Sequence, residues 1–481
     1  MKRTETRAFL WSLLIAAAVL FFCTKSSPGY PVNDWSDANI YLTIGRGMTR
    51  GQVVYRDLYD HKGPLLYALH ALCALVSADS FLGVSIMEVL LGAAFLYGAY
   101  RVLKLSGLKQ SAWAMLPVLA LIVFSSVSFA EGDSAEEMAL PLITGTMAAV
   151  FAFLQSDDER MSAKSLLLCG ALTGCVFWIK FTMVGLQAGL LLYVLIKYWR
   201  DLPRMLGWLF AGFALSTLPW IVYFGVNGAL ADWLKVYLYD NLFLYSAGES
   251  AGMLSRVKAS VLSGVDWLTG NLRYTLPILL GLAWFSVKHK KLRLCVWLMA
   301  AIGALGVFIG GKSYTYYGLA LAPLAVLGLA AIGCLWDRFV RPRWVGAVCL
   351  AVCVVLCPLI SHNMTADYGA SFGTAKEETM QHKIAQHIPA DASLLNYGFM
   401  DAGFFTAAGI TPQVKYFHQT NVPLDEMLTE QTRYIREGVC DYVVTRGQQP
   451  EGLDQYELIA EADTPAFWYE KVYLYRRRTA E

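Results

Sequence analysis

Asn33-Asp34-Trp35-Ser36-Asp37-Ala38-Asn39-Ile40-Tyr41, followed by Tyr55-Arg56-Asp57-Leu58-Tyr59-Asp60-His61-Lys62-Gly63-Pro64, sets acids, bases and aromatic rings between two strongly apolar runs. Charge beside hydrocarbon is costly unless it is paired or functional. The stretch therefore reads as a reaction site at a membrane surface, and it decides how the rest of the chain is laid out.

Working outward, the 481 residues are 56% hydrophobic and only 16% charged, with a mean hydropathy of +0.45. That excludes an ordinary soluble domain and gives a polytopic membrane protein. The formal net charge of +2 is spread over short clusters at the ends of apolar runs, so no nucleic-acid surface is implied. Most of the ten cysteines lie in apolar segments, without CxxC pairs or metal-like Cys/His spacing, which argues against a disulfide framework. Met1–Cys23 has a basic start and an apolar run but no small-x-small cleavage site before the polar loop. An uncleaved first helix is expected over a cleaved signal peptide.

A span needs about 20 apolar residues. Eleven candidates occur, at 8–24, 81–103, 111–130, 137–155, 165–179, 181–196, 205–225, 274–287, 294–310, 317–335 and 344–361. With the N-terminus inside, six linkers fall on the inner side, among them Arg101/Lys104/Lys109, Lys288/Lys290/Lys291/Arg293 and Arg338/Arg341/Arg343, and each carries at least two Lys or Arg. The opposite loop at 131–136 carries none, which is the positive-inside asymmetry. Leu65–Val76 is apolar but short and starts at Gly63-Pro64. Were it a span, the basic clusters after it would flip outside, so it is read as a helix in the interface, within one outer region over 25–80. The C-terminus is then extracytoplasmic.

Three polar clusters thereby meet at the outer face: the first loop, Glu131–Glu137, and Asp240-Asn241 with Tyr245. Sequence-distant acids at one surface are what a site presents, although outer loops are also simply polar. Within the first loop Ser36 suits a helix N-cap, which places Asp37 in the first turn. Asp37, Tyr41, Ile44 and Met48 then share one face, expected to be the membrane-facing stripe of a surface helix, with Arg46 and Arg50 opposite. After His362 the long apolar runs end. Strand-like pieces (Ser393–Tyr397, Tyr442–Thr445, Tyr469–Tyr475) alternate with helix-like ones (Lys376–His387, Leu424–Glu437), giving a small soluble α/β domain at 362–481 behind a transmembrane domain at 1–361.

These motifs resemble one family. Asp37-x-x-x-Tyr41, Gly45-Arg46-Gly47-Met48, Gly51-x-x-x-Tyr55-Arg56-Asp57 and Asp60-His61-Lys62-Gly63-Pro64 are similar to the first outer loop of GT-C superfamily glycosyltransferases. The likeness is to the bacterial group that includes lipid A aminoarabinose transferases and protein O-mannosyltransferases. It continues in Glu136-Glu137-x-x-Leu140-Pro141, Lys180 and Asp240-Asn241-x-x-x-Tyr245. The resemblance implies an all-α membrane domain of about eleven helices, with interfacial helices in the first outer loop and a small outer α/β domain. It also implies a multi-pass cell-membrane enzyme using a polyprenyl-phosphate-linked sugar. In the family, the acid at the Asp37 position is the catalytic or metal-associated carboxylate, and the basic residue at the Lys62 position contacts the donor phosphate. Many relatives have Asp-Glu where this chain has Asp37-Ala38, and several have His-Tyr where it has Tyr316-Tyr317. Both departures weaken a metal site, so no cofactor is implied beyond an optional divalent ion.

The chemistry fits those parts independently. Glycosyl transfer needs a base for the acceptor hydroxyl and positive charge for the departing phosphate. Asp37 and Lys62 supply them; Asp34 competes for the base role. Glu136 and Glu137 stand to orient the acceptor, hold a divalent cation or tune the base. Arg56 and Lys180 are further phosphate contacts, Lys180 alternatively an interfacial lysine reaching water. Tyr41, Asp57, Asp60, His61, Asn241 and Tyr245 are read as substrate-binding. Glu88, an acid within a span, is either functional or a hydrogen-bonded structural group. The acceptor is a lipid, a wall polymer or a protein. The rival class is a transporter or flippase of envelope lipids or glycans, which would place its polar residues in broken helices at mid-membrane and show internal repeats. A catalytically silent envelope-assembly protein is the third reading, and the intact Asp37/Lys62 pair speaks against it.

Overall fold

The computed structural model describes residues 2–245, 253–339, 344–366, 369–464 and 471–478. Arg341, Arg343 and Tyr469, used above for topology and for a strand, lie outside the described residues. The helices are α1 (Lys2–Cys23), α2 (Ser36–Thr49), α3 (Pro64–Val76), α4 (Leu82–Leu105), α5 (Ser111–Phe124), α6 (Ala135–Gln155), α7 (Ala163–Lys180) and α8 (Gly185–Lys197). They continue as α9 (Leu202–Val226), α10 (Leu230–Trp233), α11 (Met253–Gly270), α12 (Leu272–Lys288), α13 (Arg293–Phe308), α14 (Ala322–Trp336) and α15 (Val345–Ile360). Each of the eleven apolar runs contains a helix, although the run at 111–130 is helical only as far as Phe124. Among the described residues, six helical stretches are long and apolar enough to cross a membrane, with α3, α5, α13 and α15 as shorter apolar helices. One of the six, Ala163–Lys197, has 35 residues, about 53 Å if straight against a core of about 30 Å. It is broken at Lys180, whose backbone is extended (φ −161°, ψ 106°), so it supplies two helices, α7 and α8.

The chain forms two compact units. The first comprises Met1–Thr24, Met87–Pro219 and Ala251–Thr365. In it α8 packs on α13, α12 on α14, α6 on α7, and α5 on α1 and α15. Leu10, Phe210, Leu279, Leu305 and Val355 are exposed, an apolar exterior that suits lipid rather than water.

The second unit comprises Lys25–Ile86, Trp220–Ser250 and Ala366–Glu481. Its centre is α2, which corrects the expectation of a surface helix: every residue from Asp37 to Gly47 is buried. One side lies against α3, where Gly45 has no room for a side chain because a Cβ would stand 2.5 Å from the His70 carbonyl carbon. The other side is covered by residues 401–410, on which Thr43 and Arg46 make hydrogen bonds. Ser36 is the first helical residue rather than the N-cap. Trp35 holds that position without a side-chain cap, and Asn33 Oδ1 accepts from the Trp35 N–H instead. Gly63 is extended and Pro64 opens α3, where a missing N–H costs nothing. The thirteen residues of α3 are only about 20 Å long. Leu66, Tyr67 and His70 are buried while Leu72, Leu75 and Val76 are exposed.

The C-terminal part of this unit carries a four-stranded sheet in the order β1 (Leu394–Asn396), β2 (Tyr442–Thr445), β4 (Lys471–Arg477), β3 (Tyr456–Asp463). β1 and β2 are parallel, with Leu394 opposite Tyr442. β4 is antiparallel to both β2 and β3. The sequence reading lacked β3, because a register shift between Leu458 and Ala460 interrupts the two-residue alternation that marks a strand.

Candidate active site

The second unit builds its polar centre from a folded loop. Tyr55 is buried with φ +72°, a left-handed backbone that is strained for a bulky residue. Asp57 over-determines the turn: its Oδ2 accepts from the Val53 N–H (2.8 Å) and its own N–H donates to Val53 O (2.8 Å). The Arg56 guanidinium forks onto Asp57 with two 2.8 Å bonds and donates to Asn227 O at 2.7 Å. Arg56 and Asp57, expected as phosphate and substrate contacts, are thus tied to one another and to the fold of their own turn.

Four residues on, Asp60 and His61 are buried and Lys62 is half-buried. Side chains hold the backbone of this segment. Asn241 Nδ2 donates to His61 O (2.7 Å), the Lys62 N–H donates to Tyr67 Oη (3.0 Å), and Tyr55 O–H donates to Lys62 O (2.6 Å). Tyr67 O–H also donates to Asp60 Oδ2 at 2.5 Å. His61 Nδ1 lies 3.2 Å from Asp60 Oδ1, in ion-pair range but out of hydrogen-bond alignment. His61 Nε2 stands 3.4 Å from Lys62 Nζ, and the Tyr245 ring is 5.2 Å from the imidazole. Asn241 and Tyr245 sit on a π-helix, Leu234–Tyr245, that continues from α10; such widened turns concentrate at functional sites. Asp240, buried on the same turn, accepts from Tyr59 O–H (3.0 Å) and pairs with Lys235 (3.2 Å). Burial opposes charge on Asp60, but His61, Lys62 and His418 outweigh it and hold the carboxyl well below the usual carboxylate range. Burial, reinforced by Lys62, lowers His61 against the pull of Asp60 and Asp37.

The two candidate bases differ. Asp34 is paired with the buried Lys25 (2.8 Å) and accepts from the Ala370 N–H (2.6 Å), which fastens 25–34 to 369–370. Asp37 is buried in the first turn of α2 and accepts one bond from Tyr41 O–H at 3.0 Å. The Tyr41 ring meets those of Tyr67 and His70 edge-on at 6.3 and 5.4 Å.

Glu136, Glu137, Lys180 and Glu88 belong to the first unit. Lys180, at the break after α7, donates to Glu136 at 2.5 Å and lies 3.6 Å above the Tyr317 ring, a carboxylate on one side and a π-face on the other. Glu137 lies deeper. Its Oε2 and Glu88 Oε1 both accept from the Asp133 N–H, at 3.0 and 2.9 Å, and Thr24 O–H donates to Glu88 at 2.8 Å. Gly132 (φ +88°) passes so close that a Cβ would stand 2.2 Å from Thr24 Oγ1. Glu88 is thereby a hydrogen-bonded anchor for the 130–134 turn, the structural alternative left open for it. Among the described residues no three His, Cys, Asp or Glu side chains are grouped as a metal site needs.

The sequence does not mark Tyr67, Tyr55 and Tyr317 as site residues, because a tyrosine in an apolar or turn segment looks like packing. The one available signal was position: Tyr67 falls one helical turn inside Pro64, on the face that must turn toward the polar loop.

Residues 61–223 match the profile of the family described as dolichyl-phosphate-mannose-protein mannosyltransferase. The chain is similar in structure to ArnT from Cupriavidus metallidurans bound to undecaprenyl phosphate, with a TM-score of 0.61 at 15% identity over 97% of each chain. It is also similar to the oligosaccharyltransferase AglB from Archaeoglobus fulgidus in complex with an inhibitory peptide and a dolichol-phosphate. There the TM-score is 0.54 at 12% identity, over 97% of this chain and 74% of that one. No curated protein matches the sequence. The fold is that of the GT-C glycosyltransferases.

Proposed function

We propose that this chain, a multi-pass membrane protein with the GT-C fold, transfers a sugar from a polyprenyl-phosphate donor to an acceptor hydroxyl at the outer face of the cell membrane. The observation that carries the reading is the 60–62 segment, where side chains from α3, the Tyr55 turn and the π-helix fix the backbone that presents Lys62. A cation held in place before the reaction can meet charge that develops on a leaving phosphate without reorganising. In the step proposed, the acceptor oxygen bonds to the anomeric carbon as the bond from that carbon to the phosphate oxygen breaks. The acceptor proton passes to the Asp37 carboxylate, and the electron pair leaves with the polyprenyl phosphate, where Lys62 offsets it. Tyr41 holds Asp37 in orientation. Asp34 serves the fold through Lys25 and Ala370. Glu136 and Lys180 form a pair that serves the acceptor or a second phosphate contact. The 1–361 segment acts as the membrane part and 362–481 as the outer domain. A membrane-bound polyprenyl-phosphate sugar and a lipid, wall-polymer or protein acceptor are the partners.

The test is mass spectrometry of lipids extracted from cells with and without the gene, complemented by wild type or by Asp37→Asn. A sugar-phosphate polyprenol that accumulates in the deletion and in Asp37→Asn, and clears with wild type, is the expected result. Unchanged polyprenyl lipids in the deletion would overturn it.

A further inference from the structure

We propose that Tyr67 is a positioning residue for Lys62, holding the cation that receives the polyprenyl phosphate; the inference rests on the function proposed above. Tyr67 projects from the buried face of α3 with its ring fixed against those of Tyr41 and Tyr55, at 6.3 and 6.1 Å. Its hydroxyl does two jobs at once, donating to Asp60 Oδ2 at 2.5 Å and accepting from the Lys62 N–H at 3.0 Å. One atom thus spans the segment that carries His61 and ties the carboxylate at its start to the peptide at its end. On the other side of the same residue Tyr55 O–H closes onto Lys62 O at 2.6 Å. Lys62 is therefore held at both backbone polar groups by phenols, while its long, flexible stem extends from a fixed base. Ordering a segment for a contact costs backbone as well as side-chain freedom; anchoring the backbone of Lys62 removes the backbone part of that cost before the phosphate arrives.

Phenylalanine at 67 keeps the ring contacts and removes both bonds. If Tyr67 acts through Lys62, its loss matters only while Lys62 is present. The experiment measures binding of undecaprenyl phosphate to the purified full-length protein in detergent for wild type, Tyr67→Phe, Lys62→Ala and the double variant. Tyr55→Phe serves as an independent second variant, and unfolding midpoints are recorded for all. Tyr67→Phe and Tyr55→Phe should each weaken binding by about 5- to 10-fold, as loss of a buried hydrogen bond does, and neither should weaken it further in the Lys62→Ala background. Equal losses in both backgrounds, or wild-type affinity in both phenylalanine variants, would overturn the positioning role and leave the donor reading standing. Wild type that does not bind undecaprenyl phosphate, or Lys62→Ala that binds it as wild type does, would remove the donor role of Lys62 and this inference with it.

Discussion

Arg46→Met should destabilise the segment over α2 by about 3 kcal/mol. The buried guanidinium of Arg46 donates to Phe405 O at 2.8 Å, Ile410 O at 2.6 Å and Thr406 Oγ1 at 3.2 Å. Hydrogen bonds from a charged donor contribute about 1.5–3 kcal/mol each. Against that stands the cost of burying the charge, which lowers the guanidinium to about 10 despite the attraction of Asp401, a penalty of roughly 3 kcal/mol. Methionine fills much of the volume and relieves that penalty, but it leaves the Ile410 carbonyl without its Arg46 donor and the Phe405 carbonyl with only backbone donors such as the Ile410 N–H. The difference centres near 3 kcal/mol, or about 150-fold in the opening equilibrium. Amide hydrogen exchange by mass spectrometry over residues 404–411 measures it directly, since protection there reports local opening. Arg46→Lys, which keeps the charge but not the fork, should lose about half as much. Protection within threefold of wild type in Arg46→Met would refute the idea that this arginine fastens the C-terminal part to α2.

Asp37→Asn should abolish sugar transfer with an unfolding midpoint near wild type, whereas Asp34→Asn, which breaks the Lys25 pair, should lower the midpoint more than the turnover; the reverse pattern would exchange their roles. His61 is lowered by burial, so the unfolded chain takes up a proton near pH 6.5 that the folded chain resists, and stability present above that pH is lost as pH falls below it. Asp60, held low, adds a loss of the same sign as pH falls below about 4, while Asp401, raised by burial, works in the opposite sense. Unfolding midpoints from pH 7.5 to 5 should therefore fall, and His61→Gln should flatten that slope. An engineered cysteine at the exposed Gln449 should react with a membrane-impermeant thiol reagent in intact cells and one at the exposed Gln110 should not; Cys440 is buried and a poor probe. Labelling at 110 alone would invert the topology.

Much of this protein is legible in its sequence. Long apolar runs become helices because their backbone must be satisfied internally in lipid, and that property is local, so all eleven runs could be read. The Gly63-Pro64 start of α3 was readable for the same reason: proline and glycine restrict the backbone wherever they stand. The first loop was recognisable as a site because charge beside hydrocarbon demands a purpose. Which charges are spent on the fold was not legible. Asp34 and Asp37 are three residues apart and chemically identical, yet Lys25 and Ala370 engage one and Tyr41 the other. Arg46 looked like a solvated face until residues from more than 350 positions away covered it. Sequence fixes what a side chain can donate or accept; only the tertiary structure decides which partner reaches it first, because hydrogen bonds act over about 3 Å and the chain brings those atoms together from segments with no local signal between them.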